Sequence, residues 1–348
     1  MPPKSIFRPL LLLFLILVST VIILPLEGQA AEEIQLPLNM SVLRNELSLV
    51  RAGADRAPSW PRKIIYDQAV FDAERRAFRY SVHTFIIPEK PERIVPRTVN
   101  IAEILWAICP RERIAALHRK TADPSFSFIA DQIGGRFPLF SPGRIEEIIS
   151  ARPDLVLTAY PSGTEFKQAI DNAEIPCLDL GYIGSIRSIQ KQIRLIGRAI
   201  GETGNAEALV QDMNHHLRQL IDKIPKPDPP PRMVFYSEDG YVSGRSTGFD
   251  AICRIIGAVN VAAEQKIAFI KKVDPDVLLE WNPDCIVIPS EWAPKLYAHF
   301  LESPIISRTE AVRNGRVYAV DGRYLNAGSQ FILMGANLLA GIIHAGAF

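Results

Sequence analysis

Three sets of residues in this 348-residue chain have the types and spacing to do chemistry. The first is "GRSTG", Gly244 to Gly248, which fits the G-x-S-x-G turn that exposes a serine nucleophile between a strand and a helix. An acid, Asp284, and a base, His299 or His344, follow in hydrolase order. Ser246 comes late, and too few strands remain to complete a hydrolase sheet around it. A secreted serine hydrolase using Ser246 is therefore the alternative reading. A small-residue loop between strand and helix also lets a ligand approach the backbone closely.

The second set lies past strand ends. In open α/β sheets ligands sit beyond the carboxyl ends of the strands. That rule selects His118, Arg119 and Lys120 after "RIAAL", Tyr160 after "DLVLTA" and Tyr182 after "CLDLG". In the second half it selects Tyr241, Arg245, Trp292 and the pair Arg323–Tyr324. Aromatic residues suit flat, partly apolar ligands. Basic residues suit carboxylates, phosphates and anionic chelates. The competing reading is that each tyrosine packs at a loop and each basic group is solvated. A tyrosinate can ligate ferric haem iron, but Tyr160, at the end of its strand, is read as a contact rather than a metal ligand.

The third set is metal-ligating residues, and it is dispersed. His215 and His216 are adjacent on a helical stretch, so they do not face one site, and the other four histidines are far apart in sequence. Cys109, Cys177, Cys253 and Cys285 form no CxxC or Cys/His spacing and are expected as buried free thiols. No intrinsic metal site or cofactor is expected.

Positioning these residues requires an alternation of strands and helices, and the chain shows one twice. "KIIYDQAVFD" and "RRAFRYSVHTFIIP" read as a hairpin over 63–88. Short buried strands follow at 93–96, 113–117, 154–160 and 176–181, with helical patterns such as "NIAEILWAI" and "GTEFKQAIDNA" between them. This alternation implies a parallel sheet with helices on its faces. Residues 186–231 are helical and end at "PKPDPPPR"; Leu209, Met213, Leu217, Leu220 and Ile224 keep helical spacing within them. A second α/β series then runs over 232–348, through "RMVFYS", "YVSG", "FDAICRIIG", "DPDVLLEW", "DCIVIPS", "PKLYAHFLES", "RVYAVDG" and a last helix from about Gly328. The order is lobe (63–185), long helix, lobe. One stretch repeats across the two lobes: "RPDLVLTAY" (152–160) and "NPDCIVIPS" (282–290) each follow a short amphipathic run.

Composition and charge narrow the setting. Lys plus Arg (39) nearly cancels Asp plus Glu (38), so no basic field points to nucleic acid. Lys4 and Arg8 precede an apolar run from Leu10 to Leu26 and then small residues, the order of a signal peptide spanning 1–30 and cleaved after Ala30, with an uncleaved anchor as the alternative. Residues 32–62 are poorly periodic and read as an irregular N-terminal extension.

The motif order "ERIVP…NIAEILWAI", "IEEIISARPDLVLT", "IRLIGRAIGETGNAEAL", "DAICRIIGAVNVAAE", "VLLEWNPDCIVI" and "NGRVYAVDG" resembles the periplasmic binding proteins of ABC importers that carry cobalamin, ferric siderophores and haem, over residues 64 to 345. The chain departs from that pattern at 97–100, where "RTVN" replaces the usual Ser-Pro pair. The resemblance implies an α/β fold of two similar lobes with mostly parallel sheets, joined by one long α-helix, with a ligand cleft between the lobes. It implies a periplasmic, monomeric receptor that catalyses nothing and delivers a chelate of iron or cobalt (ferric siderophore, haem or corrinoid) to a permease dimer with a cytoplasmic ATPase. It also implies one acidic docking residue per lobe. Superposing the two Pro-Asp corners places Glu146, or its neighbour Glu147, opposite Asp276. Asp276 also suits the dipole of its own helix start.

Overall fold

The computed structural model describes residues 34–48, 59–72, 74–75 and 77–348. The signal-peptide expectation falls on residues 1–30, outside the described residues. Strands Arg62–Asp72 and Ala77–Ile87 pair antiparallel, with Ile64 opposite Phe85 and Phe71 opposite Phe78. Ile64, Tyr66 and Gln68 are buried while Lys63, Ile65 and Asp67 are exposed, the period of two that a half-buried strand requires.

The first lobe carries a parallel sheet in the order Ile94–Pro96, Leu155–Thr158, Cys177–Asp179, and a second parallel pair, Leu117–His118 with Leu139–Phe140. Helix Val99–Ile108 starts at Thr98, whose side chain accepts from Ile101 N, and is buried from Ile101 through Ile108. The strand expected over 113–117 is corrected. Arg111–Arg113 is a 3-10 turn, Ile114 makes a single bridge to Ile94, and only Leu117–His118 is extended strand. Arg113 is an anchor there: its buried guanidinium pairs with Glu202 at 2.7 Å and donates to the carbonyls of Pro91 and Ile200.

Helix Ile186–Ile200 begins in a reciprocal cap between Ser185 and Ser188 and stops at Gly201, whose φ of 78° an L side chain adopts only under strain. The 21-residue helix Thr203–Lys223, about 30 Å long, follows and ends before the proline-rich segment. The second lobe is a four-stranded parallel sheet in the order Val259–Asn260, Arg232–Phe235, Cys285–Pro289, Val317–Val320. "YVSG" stands outside that sheet. Tyr241–Ser243 pairs antiparallel with Ile270–Lys272, a strand that its charged, exposed residues concealed. The last helix, Ile332–Ile343, starts four residues beyond Gly328 and is buried along its whole length.

The irregular extension is also corrected. Met40–Ser48 is a helix that buries Met40, Leu43 and Leu47. Asn337 of the last helix accepts from Leu38 N and donates to Leu38 O, both at 2.8 Å, which ties the segment down. The largest core cluster runs unbroken from this helix through Val99–Ile108, the two long helices and the last helix, so both lobes share it. Each lobe adds a smaller outer core, around Val156 and Phe166 in the first and around Ile288 and Phe300 in the second. Of the four free cysteines, Cys109, Cys253 and Cys285 are buried and Cys177 is partly so. Among the described residues no helix is long and apolar enough to cross a membrane.

Candidate functional site

The carboxyl ends of the first-lobe strands open into a cavity of about 220 Å³ lined by Arg97, Thr98, His118, Phe140, Arg144 and Phe166, among others. His118 ends its strand with its ring edge-on to Phe140 at 5.5 Å, and its Nδ1 accepts from Lys120 N at 3.2 Å. Burial, then the charges of Lys120 and Arg97, lower its pKa. Arg119 and Lys120 are exposed, and Lys120 Nζ sits 4.0 Å above the Phe126 ring. Arg97 lies in the same cavity with its guanidinium 3.9 Å over Phe166.

Two seams join strand-end residues of one lobe to the other lobe. In the first, Arg323 Nη1 donates to Pro124 O at 2.6 Å and the Tyr324 ring packs edge-on to Phe128 at 5.0 Å. Arg323 Nε is also 3.2 Å from Asp321. In the second, Tyr160 stands edge-on to Tyr182 at 6.0 Å, and the Tyr182 hydroxyl donates to the carbonyl of Ser246. Tyr182 also packs on Phe78 and Phe269, and Phe269 on Phe71, so the hairpin tip belongs to this seam. Burial raises the Tyr182 phenol well above its ordinary pKa. Its hydroxyl is engaged in joining the lobes.

Of the second-lobe candidates, Tyr241 and Trp292 stand apart from both seams, 42% and 36% exposed, and offer free aromatic surface. Arg245 is exposed, with Nη2 3.3 Å from Lys266 O. Arg323, Tyr324 and Tyr182 are thus brought into cross-lobe contact, with Tyr160 against Tyr182 within the first lobe, and Arg97 and His118 into one cavity. Two kinds of residue escaped the sequence reading. Phe71, Phe78 and Phe269 carry no strand-end signal. Arg97 does, standing directly after "RIVP".

Comparisons with known proteins place the fold in a family. The description "periplasmic binding protein" matches residues 141–324, just over half of the chain. The chain belongs to the periplasmic binding protein family. A cobalamin-binding protein of Halobacterium salinarum is 25% identical over 247 residues, 69% of this chain and 66% of the relative, so the chain spans just under two thirds of that protein's length. YvrC of Bacillus subtilis, an uncharacterized ABC transporter substrate-binding lipoprotein, is 26% identical, covering 75% of this chain and 83% of the relative. Among solved structures, the periplasmic heme-binding protein RhuT from Roseiflexus sp. RS-1 superposes with a TM-score of 0.65 at 24% identity, over 74% of this chain and 99% of the other. The heme-binding protein HmuT gives 0.61 at 23%, over 85% and 93%. The two-lobed fold of this periplasmic binding protein is therefore common ground with both.

The serine hydrolase alternative is not supported. Ser246 has φ of 66°, and its N donates to Asp250 at 3.3 Å. No histidine touches it among the described residues. Asp284 sits at the amino end of its strand and accepts from Arg232 N at 2.7 Å. His344 bonds Ile256 O at 2.8 Å, and His299 lies beside Phe300. The small-residue loop also receives the first lobe rather than a ligand: a Cβ on Gly184 would stand 2.2 Å from Ser246 O. Among the described residues no group of three or more His, Cys, Asp or Glu side chains is placed to hold a metal ion.

Glu146 and Asp276 are both exposed in the first turns of short helices, Ile145–Ser150 and Pro275–Trp281. The choice between Glu146 and Glu147 is narrowed by local bonding. Glu147 Oε2 accepts from Ser141 N at 2.7 Å, whereas Glu146 makes no such bond among the described residues.

Proposed function

We propose that this protein is the receptor of an ABC importer acting outside the cytoplasmic membrane, and that it carries a metal chelate or tetrapyrrole between lobes 63–185 and 232–348. The observation that carries this reading is the convergence of aromatic and basic strand-end residues from two α/β lobes in a chain of the periplasmic binding protein family. The names of its relatives supply the ligand class: one is cobalamin-binding, and one similar structure holds two hemes. Iron or cobalt enters as part of the cargo. The shared core and the two seams favour a modest closure of the lobes rather than a wide hinge. Glu146 and Asp276, one per lobe, would meet basic sites on two permease subunits, with an ATPase on the cytoplasmic side.

The test is direct. The purified protein is titrated with ferric haem, cyanocobalamin and a ferric catecholate siderophore, followed by absorbance and tryptophan fluorescence. One of them is expected to bind and quench, and Trp292→Ala is expected to remove much of the quenching, with Tyr160→Ala weakening affinity about tenfold. Failure of all three to bind overturns the reading; unchanged affinity in both variants places the ligand elsewhere.

A further inference from the structure

The cavity at the first-lobe strand ends contains a guanidinium, that of Arg97, with no ion-pair partner among the described residues. Arg97 is fixed by its backbone, whose N–H donates to Leu157 O at 2.9 Å, so its side chain leaves the sheet at the cavity. Stacking on Phe166 sets the plane of the guanidinium. Its hydrogen bonds are two long ones, from Nη1 to Thr158 Oγ1 and to Pro161 O, both 3.5 Å. A guanidinium has five donors in a fixed fork. No carboxylate lies within ion-pair distance of it among the described residues. The acid nearest in effect, Asp179, is held by Lys167 at 2.6 Å and accepts from Gly181 N. Burial lowers the Arg97 pKa, and the neighbouring Cys177 and Asp179 offset that only in part.

A second donor stands beside it. His118 Nδ1 accepts a backbone N–H from Lys120, so the neutral ring carries its proton on Nε2 and presents a donor there. Arg144 lines the same cavity, 4.0 Å from Glu147 and largely exposed. A half-buried guanidinium held flat and an imidazole N–H, neither bonded to a carboxylate among the described residues, make a receptor for an oxyanion.

We propose that Arg97, assisted by His118, is an oxyanion-binding subsite on the first-lobe side of the cleft, and that the transported ligand places a carboxylate or phosphate group there. This rests on the receptor reading above and narrows it to ligands with an anionic edge. Such a group supplies the ion-pair partner, taking a forked pair of N–H bonds from Arg97. The family match begins at Ser141, beyond both residues, and the family's usual Ser-Pro gives way here to "RTVN".

Two measurements decide it. The protein, Arg97→Ala and Arg97→Lys are titrated with ferric haem, which carries two propionates, and with its dimethyl ester. Arg97→Ala is expected to weaken haem binding about tenfold or more while leaving the ester unchanged, with Arg97→Lys between. Separately, the Arg97 Nε–H resonance of the unaltered protein is followed while acetate or inorganic phosphate is added, and a saturable shift is expected with the preferred oxyanion. Equal losses for acid and ester, or no loss in Arg97→Ala, overturn the subsite, as does a resonance that neither anion moves. If no chelate binds but an anion shifts Arg97, the receptor reading falls and the subsite stands.

Discussion

The corners at Pro153–Asp154 and Pro283–Asp284 are built from matching bonds, although the helices before them and the loops after them differ. In the first lobe Asp154 accepts from the backbone N–H of Arg93 and Glu92, and the Arg93 side chain donates to the carbonyls of Ala151 and Arg152. In the second, Asp284 accepts from Arg232 N, and the Arg232 side chain donates to the carbonyls of Trp281 and Asn282. Arg152 and Asn282 both take left-handed backbones, with φ of 48° and 41°. Each corner thus locks the end of a helix to the start of the neighbouring strand, at the sheet edge opposite the cleft. The repeat in sequence is scaffold. What differs between lobes lies at the other strand ends, where one lobe has Arg97 and His118 and the other Tyr241 and Trp292.

The buried carboxylates of the two lobes contrast more sharply, and they carry the largest predicted effect. Asp250 of helix Gly248–Ile255 is paired with Arg254 at 3.0 Å. Glu103 of helix Val99–Ile108 is buried among neutral donors: Ser127 Oγ, Phe128 N and, from across the lobes, Ser329 Oγ at 2.6 Å. Burial outweighs these bonds and raises its pKa from 4.5 to about 7. The unfolded chain therefore releases this proton near 4.5 while the folded protein keeps it to about 7. Between those values the folded state binds more protons, so stability falls as pH rises, by about 3 kcal/mol in all, and is level above pH 7. Glu103→Gln should abolish this slope in urea unfolding between pH 5 and 8. A slope that survives the substitution would assign it to other groups.

The corners come next. Asp154→Ala strands two backbone N–H groups and should cost about 1–2 kcal/mol, and Asp284→Ala, with one such bond, about 1. The double variant should be additive, because the corners share no partner. Ligand affinity should hold in all three, and a variant that loses binding before stability would show that the corner shapes the cleft. The smallest effect on folding is expected from Glu146→Ala and Asp276→Ala. Exposed charges of this type tune association more than stability. Thermal midpoint and ligand affinity should be unchanged while uptake falls, most in the double variant. Normal transport by both would make these carboxylates purely structural.

What could be read in the chain was whatever short-range physics controls. Period-two strands, helical spacing at Leu209, Met213 and Leu220, and the proline stop after Lys223 each depend on a few neighbours, so alternation, lobe order and hairpin were all legible. The strand-end rule likewise named His118, Tyr160 and Arg323 from local order alone. The helix Met40–Ser48 was not legible, because its nine residues owe their stability to burying Leu43 and Leu47 in a core assembled from both lobes. Nor was the role of each strand-end residue. Tyr182 and Arg323 differ from Trp292 and Arg97 in what the opposite lobe, or a carboxylate, brings near them. Whether a phenol or guanidinium is already engaged or left free for a ligand depends on long-range contacts, and only the folded chain decides those.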